Sequence, residues 1–454
     1  AGLVEKGCRV HSQSDTEVLL HLYREKGADM VHDLRGMFAF ALWDADKQAM
    51  LLARDRYGIK PLYYADDGKT VRIASHVKAL ESGGHRPTEK DPAAVVGFHL
   101  LGSVPEPYTI YAAIKALPAG SMLWVYASDP GRPECYRTIS DIWARAEKAP
   151  VQTEDIEAEV REVLLDSVRH HMVSDVPVGA FLSAGVDSGA LLGLMREIHP
   201  DMEIQTVTLA FEEFEGKQGD ESILAEKVAH RYGAKHTRRL ITQDEFIQDL
   251  PKILDAMDQP SIDGINTWFV SKAAKELGIK VAISGLGGDE LFGGYPSFTD
   301  VPRWVKHFRI PSRIPFLGDM VRKAGALFLG PNSSLSPKAL GLVKYGGTYP
   351  GAWLLRRGIF MPWELKKMLA PGFVREGLQR LEPVEHIDKT MGSNLAMPFS
   401  KVATMEASMY MRNQLLRDSD WAGMAHSLEI RVPLVDATLL QRMAPLLTCL
   451  LYTS

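Results

Sequence analysis

Between residues 176 and 285 the chain alternates short apolar runs with amphipathic stretches, and this alternation limits its fold more than any other feature. "VPVGAFLS", "EIQTVTLAF", "KHTRRLI" and "KVAISG" read as strands, and "GALLGLMREI", "ESILAEKVAHRYG", "DEFIQDLPKILDAM" and "TWFVSKAAKELG" as helices. Helices between successive strands point to a parallel sheet, because each crossover carries the chain back to the end at which the previous strand began. Such a sheet takes ligands just past the carboxyl ends of its strands. Upstream, "TEDIEAEVREVLLDSVRHHM" places Ile156, Val160, Val163, Leu164 and Val168 on one helical face, behind an acidic first turn.

The first 125 residues follow another pattern. Ser14 or Asp15 caps a helix, "TEVLLHLYREKG", that closes at Gly27; the β-rich runs "MFAFALWD", "AMLLARD" and "KPLYYADDGKTVRIAS" follow, separated by polar turns. This unit is expected to be mixed and mostly antiparallel. A Pro- and Gly-rich stretch over roughly 102–150 reads as its last strands plus a linker, and residues 301–400 read as helical and irregular. The chain has 454 residues, 46% of them apolar and 24% charged, as in soluble globular proteins. A net charge of −5 leaves no basic footprint for nucleic acid, and no apolar run reaches the ~18 residues a membrane span needs. Cys8, Cys135 and Cys449 are too few and too scattered for a disulfide framework or a zinc site, which points to the cytoplasm.

Two loops carry the chemistry. "FLSAGVDSGALL" (181–192) joins a strand to a helix whose first amides favour an anion. Gly185 permits the turn, and Ser183 and Ser188 offer hydroxyls to phosphate oxygens. Asp187 would repel a phosphate unless Mg²⁺ sat between them, so its presence suggests a metal-bound pyrophosphate. The Walker frame and the nucleophile-elbow frame are both absent. A Ser/Gly turn with a capping Asp would give the same string. The second loop, "KVAISGLGGDELFGGY" (280–295), again runs from a strand into glycines and carries Asp289 and Glu290. Two such loops could face one nucleotide; a structural glycine loop with solvated acids is the alternative.

"SAGVDS" resembles the pyrophosphate loop of the N-type ATP pyrophosphatases. "SGLGGDELFGGY" and "MAHSLEIRVPLVD" (424–436) resemble motifs of the glutamine-dependent asparagine synthetases in that group. "SDTEVLL", "LRGMFAFALWD", "RDRYGIKPLYY", "ASHVKAL" and "GSVPEPYTIYAAIKALPAG" resemble that family's amino-terminal glutaminase domain. The resemblance implies an α/β plus α+β chain. A truncated Ntn-type antiparallel glutaminase domain (1–140) would precede a parallel-sheet ATP pyrophosphatase domain with a helical C-terminal part (150–448). It also implies a two-site reaction: glutamine is hydrolysed in the first domain, and ammonia passes through a tunnel to the second. There ATP adenylates the aspartate side chain, and ammonia displaces AMP.

By the same resemblance, Asp187, Ser188 and Asp289 would be the catalytic residues, with Asp187 and Asp289 holding Mg²⁺. Leu182, Ser183, Gly185, Asp187, Ser188, Leu209, Ser284, Gly285 and Tyr295 would hold ATP, and Asp15 the glutamine α-amino group. Glu429 and Arg431 read as a structural or docking ion pair. The partners expected are ATP, aspartate or another carboxylate, and glutamine or ammonia, without nucleic acid or membrane; the candidate assembly is a homodimer.

The sequence departs from the family at several points. Its nucleophilic Cys, Arg and Asn-Gly would lie upstream of Ala1, and Cys8 reads as structural. The chain therefore reads as truncated at both ends, and 449–454 ("CLLYTS") as an artefact of sequencing-library construction. Ala184 replaces a loop glycine, a mild change if its φ is negative. Leu286 replaces a Glu and Trp421 a Lys or Arg, which makes both candidates for acceptor specificity. A sugar uronate, a peptide carboxylate or an internal amine as acceptor partner, or a non-catalytic nucleotide-binding role, are the competing readings. His170, His171, His236 and His426 read as structural.

Overall fold

The computed structural model describes residues 8–453, apart from 13, 84–88, 128–130, 150, 152–154, 215–216, 218–220 and 329–336. Near the start, Ser14 accepts the amide of Thr16 and caps the helix Asp15–Lys26, so Ser14 is the cap. Gly27, at φ 61°, ends the helix.

Two antiparallel sheets build the first domain. One has the order β1 (Ala39–Asp44), β2 (Ala49–Arg54), β6 (Ser121–Tyr126), β7 (Glu134–Cys135). The other has the order β4 (Val71–Ala74), β3 (Tyr63–Asp66), β5 (Ile114–Ala116). Leu52, Leu62, Leu117 and Leu123 pack between them. A helix absent from the expected run of strands, Pro92–Leu101, starts at Asp91, whose carboxylate accepts the amides of Ala93 and Ala94.

The second domain holds a five-stranded, wholly parallel sheet in the order β10 (Lys235–Ile241), β9 (Gln205–Phe211), β8 (Val178–Phe181), β11 (Val281–Ile283), β12 (Glu429–Arg431). β8 to β11 are the four strands expected from the alternation. Helices Val186–Ile198, Ser222–Arg231, Gln243–Ala256 and Ile265–Glu276 connect them. The helix Ile156–His171 buries Val163 and Val168 and half-buries Ile156, Val160 and Leu164. Helices from Ser297 to Met405 form the C-terminal part. They run on through a π-helical stretch, Glu406–Leu416, into Arg417–Ala425. A single large core joins the sheet to these helices.

The domains are locked together by polar contacts. Arg54 on β2 bonds Glu106 at 2.6 Å, and Asn413 accepts the amide of Glu106 at 3.1 Å. Asp258 of the second domain accepts the amides of Val77 and Lys78, both at 3.0 Å, at the start of the helix Val77–Ser82. Arg431 bonds Glu429 at 2.7 Å and the carbonyls of His171 and Val173, tying β12 to a helix end. Among the described residues no helix is long and apolar enough to cross a membrane.

Candidate active site

The strand order decides where a ligand can sit. The chain builds outward from β8 through β9 to β10, then crosses back to lay β11 on the other side of β8. The loops after β8 and β11 therefore leave the sheet on either side of the point where its order reverses, and a crevice opens between them. A cleft of about 690 Å³ occupies it. The structure brings Leu182, Ser183, Gly185, Asp187, Ser188, Leu209, Ser284, Gly285, Leu286 and Asp289 to its wall.

The hydroxyls knit the first loop. Ser188 Oγ accepts the Ser183 amide at 3.1 Å, and the two hydroxyl oxygens lie 3.0 Å apart. The Gly185 amide donates to Ser183 Oγ at 3.1 Å. Gly185 caps the helix Val186–Ile198 without a capping side chain, so the helix's first amides are not claimed by one. Among the described residues, the non-glycine residues with positive φ are Gln48, Phe316, Glu382 and Ser427, so Ala184 takes its place without strain.

The carboxylates set the electrostatics. Burial, and then the charge of Asp289, push the Asp187 carboxyl above its ordinary value. Two glycines leave them room. A Cβ on Gly288 would lie 2.2 Å from Asp187 Oδ2, and one on Gly294 would lie 1.9 Å from Asp289 Oδ1. No hydrogen bond or ion pair engages either carboxylate among the described residues. Two unclaimed carboxylates lining one cleft, close enough for the charge of one to act on the other, fit a hard divalent cation.

Two residues expected at the site stand elsewhere. Tyr295 lies behind the second loop. Its hydroxyl donates to Glu290 Oε1 at 3.0 Å, and its ring flanks Arg357 at 4.1 Å, opposite Tyr410 at 3.9 Å. Arg357 in turn bonds Glu406, so Tyr295 braces the loop from a buried polar cluster rather than lining the cleft. Trp421 is 3% exposed, packs against Trp268 and donates Nε1 to Asp418 Oδ1 at 2.7 Å. Its bulk and apolar ring pull it into the core beside Ile241 and Ile253, away from the cleft wall.

Thr208, Asn266, Thr267 and Ser419 also line the cleft and were not anticipated. Asn266 and Thr267 follow Gly264, whose φ of 88° turns the chain into its helix; "DGIN" was the available signal. The histidines pack into the fold, though His426, expected at the surface or hydrogen-bonded, is buried with its Nε2 unpartnered. His171 bonds the Ser167 carbonyl, His236 bonds Thr206, His170 sits against Asp166 and Arg35, and His426 sits edge-on to Trp268 at 4.3 Å.

A second pocket, about 910 Å³, belongs mainly to the first domain and carries Asp15 at its wall, with Arg35, Ser75 and His76. Between the two lies a void of about 10 Å³ walled by Ile59, Leu416, Leu428 and Val432. It shares Lys60, Asp420 and Met424 with the first-domain pocket, and Ser419 and Ile430 with the cleft. Lys60 and Asp420 form an ion pair at 3.3 Å on the first-domain side. A narrow, mostly apolar neck thus separates two pockets of different chemistry.

Fold and site together define a nucleotide-type parallel-sheet domain joined to a pocketed antiparallel domain. The glutamine amidotransferase domain model matches residues 1–136, and the asparagine synthase model matches residues 159–446. The chain belongs to the asparagine synthase family. It is 33% identical to asparagine synthetase [glutamine-hydrolyzing] 1 of Bacillus subtilis, over 96% of this chain and 65% of that protein. A putative asparagine synthetase of Mycobacterium tuberculosis is 32% identical over 95% of this chain and 64% of its own length. Asparagine synthetase B of Escherichia coli is 32% identical over 64% of this chain and 41% of its own. The chain therefore spans just under two-thirds of the length of the first two relatives.

Proposed function

We propose that this chain carries the ATP-dependent amidation site of a glutamine-dependent asparagine synthetase, and that its first domain is the glutamine side of the same enzyme. The observation that carries the reading is the pairing of two loops, one holding Ser183, Asp187 and Ser188 and the other Asp289, at the switch point of one parallel sheet. In this reading the helix amides after Gly185, with Ser183 and Ser188, hold the pyrophosphate portion of ATP, and Leu182, Leu209, Ser284 and Gly285 border the adenosine. Asp187 and Asp289 would hold Mg²⁺, which offsets the charge of the phosphates.

A carboxylate is a poor acyl donor because its leaving group would be an oxide. Attack of the aspartate side-chain oxygen on the α-phosphorus expels pyrophosphate and leaves an acyl adenylate. Ammonia then adds to the acyl carbon, loses a proton and displaces AMP, giving asparagine. The apolar neck at Ile59, Leu416 and Leu428 favours uncharged ammonia over ammonium and keeps water from the adenylate. In this reading Asp15, exposed at the edge of the first-domain pocket, takes the glutamine α-amino group.

The acceptor has a second reading. Leu286, apolar, lines the cleft where the family carries a Glu, and Trp421 is buried where it carries a base. Neither supplies a charge to aspartate, which favours testing other carboxylates alongside it.

The test supplies ATP, Mg²⁺ and free ammonia and measures pyrophosphate release over a panel of carboxylates. Release with aspartate is the expected result, lost in Asp187→Ala. Release with another acid alone transfers the same chemistry to that acceptor. No release with any acid overturns the reading.

A further inference from the structure

A pocket of about 440 Å³ opens where the first domain, the helix Ile139–Lys148 and the last helix, Ala437–Thr453, meet. Arg35, Arg56, Arg137, Arg145 and His32 line it, and the one carboxylate on its wall is Asp33. Asp33 is committed to Lys26 at 2.8 Å. Arg35 is neutralised by Asp166 at 2.9 Å and Asp436 at 2.8 Å. Arg56, Arg137 and Arg145 make no ion pair among the described residues. The nearby Asp141 is engaged in a capping box, accepting the amide of Thr138 at 3.1 Å.

Arg56 is fixed in advance of any ligand. Its Nη1 donates to the Leu34 carbonyl at 2.7 Å and its Nη2 to the His32 carbonyl at 2.9 Å. Its guanidinium lies 5.9 Å from the ring centre of Tyr136, which meets His32 edge-on at 5.7 Å. The side chain is 7% exposed, and its Nε is buried without a hydrogen-bond partner. Burial, and then the charges of Arg145 and Arg56, push the Arg137 guanidinium below its ordinary value. Like charges gathered in a partly buried pocket repel one another until an anion joins them.

We propose that this interdomain pocket binds a phosphoryl-bearing anion, held by Arg56, Arg137 and Arg145. The guanidinium forks of Arg137 and Arg145 match phosphate oxygens bidentately, and with the fixed charge of Arg56 behind them they suit an oligophosphate better than a single carboxylate. Thr438 and Gln441 of the last helix add neutral hydrogen-bonding groups to the same wall. The site stands apart from the ATP cleft, with which it shares no lining residue. Asp33, Leu34 and Arg35 line both this pocket and the larger first-domain pocket, so an anion held here sits against the wall of the glutamine side.

The test is calorimetric titration of the protein with tripolyphosphate in Mg²⁺-free, low-salt buffer, where Asp187 and Asp289 repel phosphate from the ATP cleft. Binding is expected to weaken about tenfold or more in R137Q and in R145E, the loss of one charge-assisted contact. Arg145 is exposed, so R145E keeps the core intact, and an unchanged melting temperature of the unliganded variant checks this. S188A, in the ATP cleft, is expected to bind as the parent does. A parallel titration of the parent and R145E with ADP separates the sources: a component lost in R145E with the affinity of tripolyphosphate means that phosphoryl groups alone are read, and a tighter one lost in R145E means a nucleotide. Undiminished binding in both arginine variants, loss in S188A instead, or succinate binding as tightly as tripolyphosphate would each overturn the proposal.

Discussion

Asp187 and Asp289 reach the same cleft from loops that follow two neighbouring strands, β8 and β11, and the charge of Asp289 adds to burial in making Asp187 harder to ionise. Nothing along the chain links them; the switch in strand order does. Such a pair is costly in an empty site and favourable around a cation, so the arrangement reads as poised for a ligand rather than for stability.

The glycines that seat these carboxylates give the first prediction. In Gly288→Ala the new methyl would fall 2.2 Å from Asp187 Oδ2, so the carboxylate must move. Turnover is expected to drop about a hundredfold, the scale of an ångström misplacement, with the circular dichroism spectrum unchanged. Gly372→Ala, where a Cβ meets nothing within 4 Å, is the matched control and should leave both unchanged.

The neck between the pockets gives the second. Met424 borders both the first-domain pocket and the small void beyond it. In a form of the protein that hydrolyses glutamine, Met424→Trp is expected to lower glutamine-dependent synthesis several-fold while ammonia-dependent synthesis holds. Equal loss with both nitrogen sources would show that the neck is not the route.

The first domain buries the pair of Arg54 and Glu106, 4% and 9% exposed, beside Asn413 of the second domain, which accepts the Glu106 amide. Burial pushes the Glu106 carboxyl up, but Arg54, Arg412 and Arg417 outweigh it and hold it below its ordinary value. Arg54 also donates to the carbonyls of Gly58, Lys60 and Leu117. Arg54→Met leaves Glu106 without its partner and is expected to cost about 3–5 kcal/mol in denaturant unfolding. Because the Glu106 value is depressed, its contribution is present above the ordinary carboxylate range and is lost as pH falls from there through the lowered folded-state value.

Asp418 behaves in the opposite sense. Burial pushes its carboxyl up to about 7, against hydrogen bonds from Ser261 and Trp421 that pull it down. A raised acid favours the folded state while protonated, so its contribution is full below about 4 and is lost as pH rises from there to about 7. Asp418→Asn keeps a partner for both neighbours and removes the titration. Its melting temperature is expected to fall less steeply than the parent's between pH 5 and pH 8, by about 1.4 kcal/mol of stability per pH unit in the titrating range. Parallel curves would refute the assignment.

Much of this was legible in one dimension. Strands β8 to β11 and their helices follow from periodicity, since a buried strand and an amphipathic helix each need a fixed apolar spacing. The first loop was readable because Ser183, Gly185, Asp187 and Ser188 lie within six residues and meet through local hydrogen bonds. Tyr295 was less so: its position follows from Arg357 and Tyr410, far along the chain. Trp421 reads as a site residue when aligned with a base, yet the core claims it.

By itself, then, the sequence determined which segments become strands, helices and phosphate-type turns, because those depend on neighbours a few residues apart. The order of the strands, the pairing of Asp187 with Asp289, the neck under Lys60 and Asp420 and the arginine-lined pocket were decided only by the tertiary structure. Each joins groups from distant stretches, and their meeting depends on how the sheet and helices pack rather than on any local preference.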